Sequence, residues 1–71
     1  MKEYLVIFEW AGSNYSAYVP DLPGCVSTGK TLDDAEGSIR EAICLYIDAL
    51  RADNKAVPEP STTARPVAVA A

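Results

Sequence analysis

Residues Tyr15 to Ala35 read Tyr-Ser-Ala-Tyr-Val-Pro-Asp-Leu-Pro-Gly-Cys-Val-Ser-Thr-Gly-Lys-Thr-Leu-Asp-Asp-Ala. This is a strand, a rigid turn, a second strand and a helix start in immediate succession. Tyr15 to Val19 alternates as a strand does. Pro20 then removes a backbone donor. Pro23-Gly24 enforces a turn, because proline fixes φ and glycine tolerates positive φ. Pro20, Pro23 and Gly24 are therefore assigned a structural role. Cys25 to Gly29 re-extends as a short strand. Thr31 has the chemistry of a helix N-cap, and Asp34 sits three residues on, where a capping box carries its acid.

Upstream, Lys2 to Trp10 is rich in aromatic and β-branched residues and predicts a first strand. Tyr4, Val6, Phe8 and Trp10 line one face, Leu5 and Ile7 the other. A strand apolar on both faces is usually central in its sheet. Ala11-Gly12-Ser13-Asn14 has hairpin-turn composition, so Tyr15 to Val19 should return antiparallel.

Downstream, the pattern predicts a helix from Leu32 to about Asp53. Leu32, Ala35, Ile39, Ala42, Ile43, Tyr46, Ile47 and Leu50 share one broad face at about 100° per residue. Gly37 lies inside the helix with no sequence-level reason. Leu45 projects to the opposite side among Asp34, Glu41 and Asp48. A single exposed leucine is common; ringed by acids, it is also a candidate contact point for a partner. Asn54 and Lys55 end the helix. Residues 55–63 read as a proline-rich linker, and residues 64–70 as a short terminal strand through Val67 and Val69.

The expected class is α+β with the order β-β-β-α-β: a three-stranded antiparallel meander, one helix and a short fourth strand that could lie parallel to the first by a right-handed crossover. One helix covers one face of such a sheet. Either the Leu5 and Ile7 row or the Tyr4 to Trp10 row would then face solvent, and a second subunit is the simplest cover. A homo-oligomer, most simply a dimer, is expected.

The chain has 71 residues, which suits one domain, 1–71, with a core at 1–54. No apolar run approaches the roughly 20 residues of a membrane span, and the N-terminus has no signal-peptide pattern, so a cytoplasmic protein is expected. The formal net charge is −4, from 6 basic and 10 acidic residues. The basic residues are scattered, with no stripe of the kind nucleic acid requires, so direct nucleic-acid binding is not expected. An acidic surface suits a basic protein partner. The chain contains no histidine, which excludes His-based triads and His general bases. Cys25 and Cys44 lack metal-site spacing; a disulfide between them is open on paper, and two small thiols in a reducing compartment are the favoured reading.

The run Tyr18 to Cys25, the segment Gly29-Lys30-Thr31-Leu32-Asp33-Asp34-Ala35, the helical Ile39-Arg40-Glu41-Ala42-Ile43 and the later Pro58-Glu59-Pro60-Ser61 together resemble the HicB antitoxin family. The resemblance covers nearly the whole chain from Tyr4 to Ser61. It implies a partial RNase H-like fold, which agrees with the β-β-β-α-β order. It also implies that the chain binds and neutralises a small basic toxin of the HicA type, an RNA-cleaving protein. Longer members add a C-terminal DNA-binding domain, for which these 71 residues show no pattern. A solitary HicB-like domain with a regulatory or scaffolding role is the alternative.

An RNase H-like fold also raises a metal-dependent nuclease, which needs several carboxylates converging on metal ions. Glu3 and Glu9 would stand about 20 Å apart along a strand. Asp21 is already explained by its turn, and the helical acids look like a solvated face. No catalytic residue, metal or cofactor is expected. The candidate partner-binding residues are the acidic helix side, Asp34, Glu41, Leu45 and Asp48, together with Asp21 and Leu22 at the turn. Leu45 would be the apolar anchor, with the acids as its rim.

Overall fold

The computed structural model describes residues Met1–Ala71. Three strands, β1 (Ile7–Trp10), β2 (Tyr15–Tyr18) and β3 (Val26–Gly29), precede a helix, α1 (Leu32–Ala52). The strands form one antiparallel sheet in the order β1-β2-β3. The α+β class and the β-β-β-α order are as the sequence predicts. No helix is long and apolar enough to cross a membrane.

Register decides what each face carries. Phe8 lies opposite Ala17, and Ala17 opposite Ser27, so these share the face under the helix. Ile7, Tyr18 and Val26 line up on the other face, which nothing covers. Of the two rows left open by the sequence, the one containing Ile7 is therefore the uncovered one. Val26 is exposed, and so is the edge of Tyr18.

The core gathers round the turn. Ala17, Val19, Leu22, Cys25 and Ile39 form one buried cluster, against which Tyr4, Val6, Phe8, Ala42, Ile43 and Tyr46 pack. Three backbone hydrogen bonds close the turn: Val19 N–H to Cys25 O at 3.2 Å, Leu22 N–H to Val19 O at 3.1 Å, and Cys25 N–H to Leu22 O at 3.0 Å. Gly24 adopts φ +81°, the conformation its position was read to require. Only 6 of 71 residues are buried, so each core side chain carries a large share of a small total. Cys25 and Cys44 are both free thiols, and burial raises the pKa of Cys25.

α1 packs across β3 and β2. Its start is set by Thr31, whose hydroxyl accepts the N–H of Asp34 at 3.0 Å. Asp33 and Asp34 in the first turn and Arg51 in the last complement the helix dipole. The end is a Schellman motif: Lys55 N–H reaches Leu50 O, Asn54 N–H reaches Arg51 O, and Asn54 takes φ +56°. The helix approaches the sheet so closely that a Cβ on Gly29 would lie 2.3 Å from the backbone nitrogen of Ala35. Gly29 is thus required by packing. Gly37 has nothing within 4 Å of where a Cβ would stand, and the structure supplies no reason for it either.

Four expectations need correction. Regular pairing begins at Ile7, not Lys2, because β2 ends at Tyr18 and Pro20 turns the chain away from the residues that would pair with Leu5 and Val6. β1 lies at an edge of the sheet instead of its centre, since no fourth strand flanks it. Residues 64–70 form no strand: Val67 and Val69 are 80% and 78% exposed, and a two-valine segment does not hold a strand without a neighbour to pair with. Leu32, on the predicted inner face of the helix, is largely exposed, as is Trp10, whose row on β1 the sequence left open. Leu32 precedes the part of α1 that meets the core. Trp10 lies at the end of β1, beyond Phe8, and stacks edge-on against Tyr15 at 5.1 Å.

Candidate protein-binding surface

Asp34, Glu41, Leu45 and Asp48 recur at spacings of seven, four and three, which places them on one stripe of an α-helix. All are exposed, and the stripe faces away from the buried Ala35 and Ile39. Leu45 is 69% exposed. Neither ion pair of the chain, Lys2–Glu59 or Arg40–Glu36, involves the stripe, so its carboxylates are not neutralised internally. The arrangement is an isolated apolar side chain framed by negative charge. It can receive a basic protein surface with an apolar point of contact.

Asp21 and Leu22 take roles other than the partner contact read from the sequence. Leu22 is 0% exposed and belongs wholly to the core, so it offers no contact surface. The turn buries its one apolar side chain and leaves its acid outside. Asp21 instead accepts four hydrogen bonds from the C-terminal segment: Ser61 N–H at 2.9 Å, Ser61 Oγ–H at 3.0 Å, Thr62 N–H at 3.1 Å and Thr62 Oγ1–H at 2.6 Å. The Thr62 hydroxyl, then the two backbone N–H groups, stabilise the ionised form and lower its pKa from the ordinary 3.8 to about 2. Two further contacts hold the same segment: the Tyr4 hydroxyl donates to Pro58 O, and Lys2 pairs with Glu59. Residues 55–63 are therefore a strap across one end of the sheet and not a free linker.

Ser61, Thr62 and Tyr4 were not singled out as interacting residues by the sequence. The available signal was the run of hydroxyl residues Ser61-Thr62-Thr63 directly after Pro58-Glu59-Pro60, together with the single acid of the turn. Elsewhere, no three acidic or thiol side chains converge where they could hold a metal ion.

The family described as "HicB_like antitoxin of bacterial toxin-antitoxin system" matches residues 4–69. A UPF0150 protein of Thermoplasma acidophilum is 40% identical over 58 residues, covering 82% of this chain and 84% of its own. A UPF0150 protein of Helicobacter pylori is 46% identical over 50 residues, covering 70% of this chain and 69% of its own. Among solved structures, the HicA3 and HicB3 toxin-antitoxin complex contains a chain that superposes with a TM-score of 0.71 at 27% identity, over 84% of this chain and 70% of that one.

Proposed function

The chain belongs to the HicB-like antitoxin family of bacterial toxin-antitoxin systems, and from that premise we propose that it neutralises a small, basic, HicA-type RNA-cleaving toxin by occupying the toxin's surface. The observation that carries this reading is the exposed Leu45 flanked by Glu41 and Asp48, with Asp34 about three turns away on the same stripe, on a helix face turned away from the buried Ala35 and Ile39. The similarity to a chain in a toxin-antitoxin complex supports the class of partner.

The mechanism is binding without chemistry on the part of this chain. Opposite fields steer the encounter and raise the association rate. Burial of Leu45 in an apolar recess of the toxin then slows dissociation, with the surrounding carboxylates excluding water at the rim. Ser16, Tyr18 and the rest of the open sheet face are not needed for this contact. The chain lacks histidine, and its Asp21 carboxylate is committed to Ser61 and Thr62.

Co-expression with a small basic protein encoded beside this one, read by growth and by pull-down, tests the reading. Restored growth and co-purification are expected. If no such protein binds, the antitoxin role fails for this chain, and a solitary regulatory or scaffolding domain takes its place.

A further inference from the structure

Two segments of this molecule have strand-forming sequence and no strand partner. Tyr4-Leu5-Val6 leads into β1 but makes no backbone-to-backbone hydrogen bond, because β2 has already turned away. The chain after Lys55 likewise makes none, and within it Val67 and Val69 lie on one side of an extended segment, almost fully exposed. Beside β1 the molecule has room for a strand. A groove of about 1060 Å³ runs between α1 and the stretch Met1 to Phe8 that leads into β1, and its apolar lining includes Tyr4, Val6, Phe8, Ile39, Ile43 and Ile47.

The tail of the same copy does not fill that space. Pro58 passes the Tyr4 hydroxyl, and three residues later Ser61 is already fixed to Asp21 beyond the end of β2. The strap has then crossed from the β1 side to the β2 side. Only Thr63 and Ala64 separate Thr62 from Arg65, three steps with a reach of about 10 Å. The tail instead projects outward: the molecule is 48 Å long, well beyond the roughly 31 Å of a 21-residue helix.

We propose that Arg65–Ala70 of a second copy pairs along the free edge of β1, with Val67 and Val69 entering the groove, and that reciprocal exchange of the two tails makes the protein a dimer. The edge N–H and C=O groups of β1 supply the backbone bonds, and alternate side chains supply the register, as in strand addition generally. Charge agrees with this occupant. Glu3 and Glu9 are exposed at the two ends of the β1 region, so Arg65 meets a carboxylate whichever way the strand runs. The exchange also gives β1, apolar on both faces, the flanking neighbour it lacks in the single chain.

The test uses the full chain without toxin, so its outcome is independent of the antitoxin reading. Sedimentation equilibrium in the micromolar range should give twice the chain mass. The double variant Val67→Asp with Val69→Asp, altered only at residues exposed in the single chain, should give the chain mass with the helical circular dichroism signal unchanged. In a mixed isotope-labelled sample, filtered NOEs should connect the Val67 and Val69 methyls of one copy to the Phe8 ring of the other. A monomeric wild type, a dimer untouched by the double substitution, or NOEs confined to one copy would each overturn the proposal.

Discussion

Asp21 and Ser61 lie 40 positions apart, yet the Asp21 carboxylate accepts both the backbone N–H and the hydroxyl of Ser61, at 2.9 and 3.0 Å. With the Thr62 pair added, one side chain of the turn fixes the far end of the C-terminal strap. The folded pKa of Asp21, about 2, lies below its ordinary 3.8. The clamp's contribution is thus fully present above the ordinary value and is lost as pH falls through about 2. Amide shifts of Ser61 and Thr62 followed by NMR should titrate with a midpoint near 2 and stay constant from pH 5 to neutrality. In Asp21→Asn the same amides should take their unclamped positions at neutral pH. A midpoint near the ordinary carboxylate value would mean that the clamp does not form in solution.

Gly24 sits at φ +81° with open space where a Cβ would stand. The penalty for any L side chain there is conformational and independent of size. Gly24→Ala and Gly24→Val should each destabilise by about 1–3 kcal/mol and by similar amounts. Asparagine, which tolerates the left-handed region, should be milder. Urea midpoints of the three variants measure this, and a steep dependence on side-chain size would point to packing instead.

Gly29 presents the opposite case. Its absent Cβ would meet Ala35 N at 2.3 Å and Ala35 Cα at 2.7 Å, which are backbone atoms that cannot rotate aside. Gly29→Ala should destabilise toward the upper end of the about 1–3 kcal/mol typical of overpacking. Truncating the neighbour, Ala35→Gly, should not rescue it, because the clash is with main chain. Thermal melts of the single and double variants decide the point, and a rescued double variant would contradict the geometry.

Leu45→Asp should leave the unfolding free energy within about 0.5 kcal/mol of wild type, as surface changes do, while weakening toxin binding by about 2 kcal/mol or more. Raising salt should slow association with the toxin more than it speeds dissociation. Calorimetry and stopped-flow kinetics measure the two effects. A variant that binds normally would move the contact away from this stripe while leaving the antitoxin role intact.

Local rules made much of this legible in advance. The proline-glycine turn, the Thr31 cap, the Asn54 stop and the inward face of α1 from Ala35 to Tyr46 all depend on residues within a few positions of one another. The failures share a different cause. Asp21 binds Ser61 and Thr62 from the far end of the chain, and no local pattern announces it. Leu22 and Asp21, adjacent in sequence, part company because the turn buries one and exposes the other. The strands read at Leu5 and at Val67 have the right residues, but a strand is a property of a pair, and the single chain brings neither of them a partner. The acidic stripe was read from helical spacing alone, and its exposure follows from the same periodicity that buries Ile39.

The bare Cα of Gly29 also fixes the rotational phase of α1. The first turn rests directly on the β3 backbone at this point, which permits one angular setting of the helix and penalises its neighbours. A roll by a single residue, about 100°, would carry Ile39 out of the core and swing Asp34 and Glu41 toward it. The compass bearing of Leu45, about four turns further on, is therefore set by an atom that is missing at residue 29.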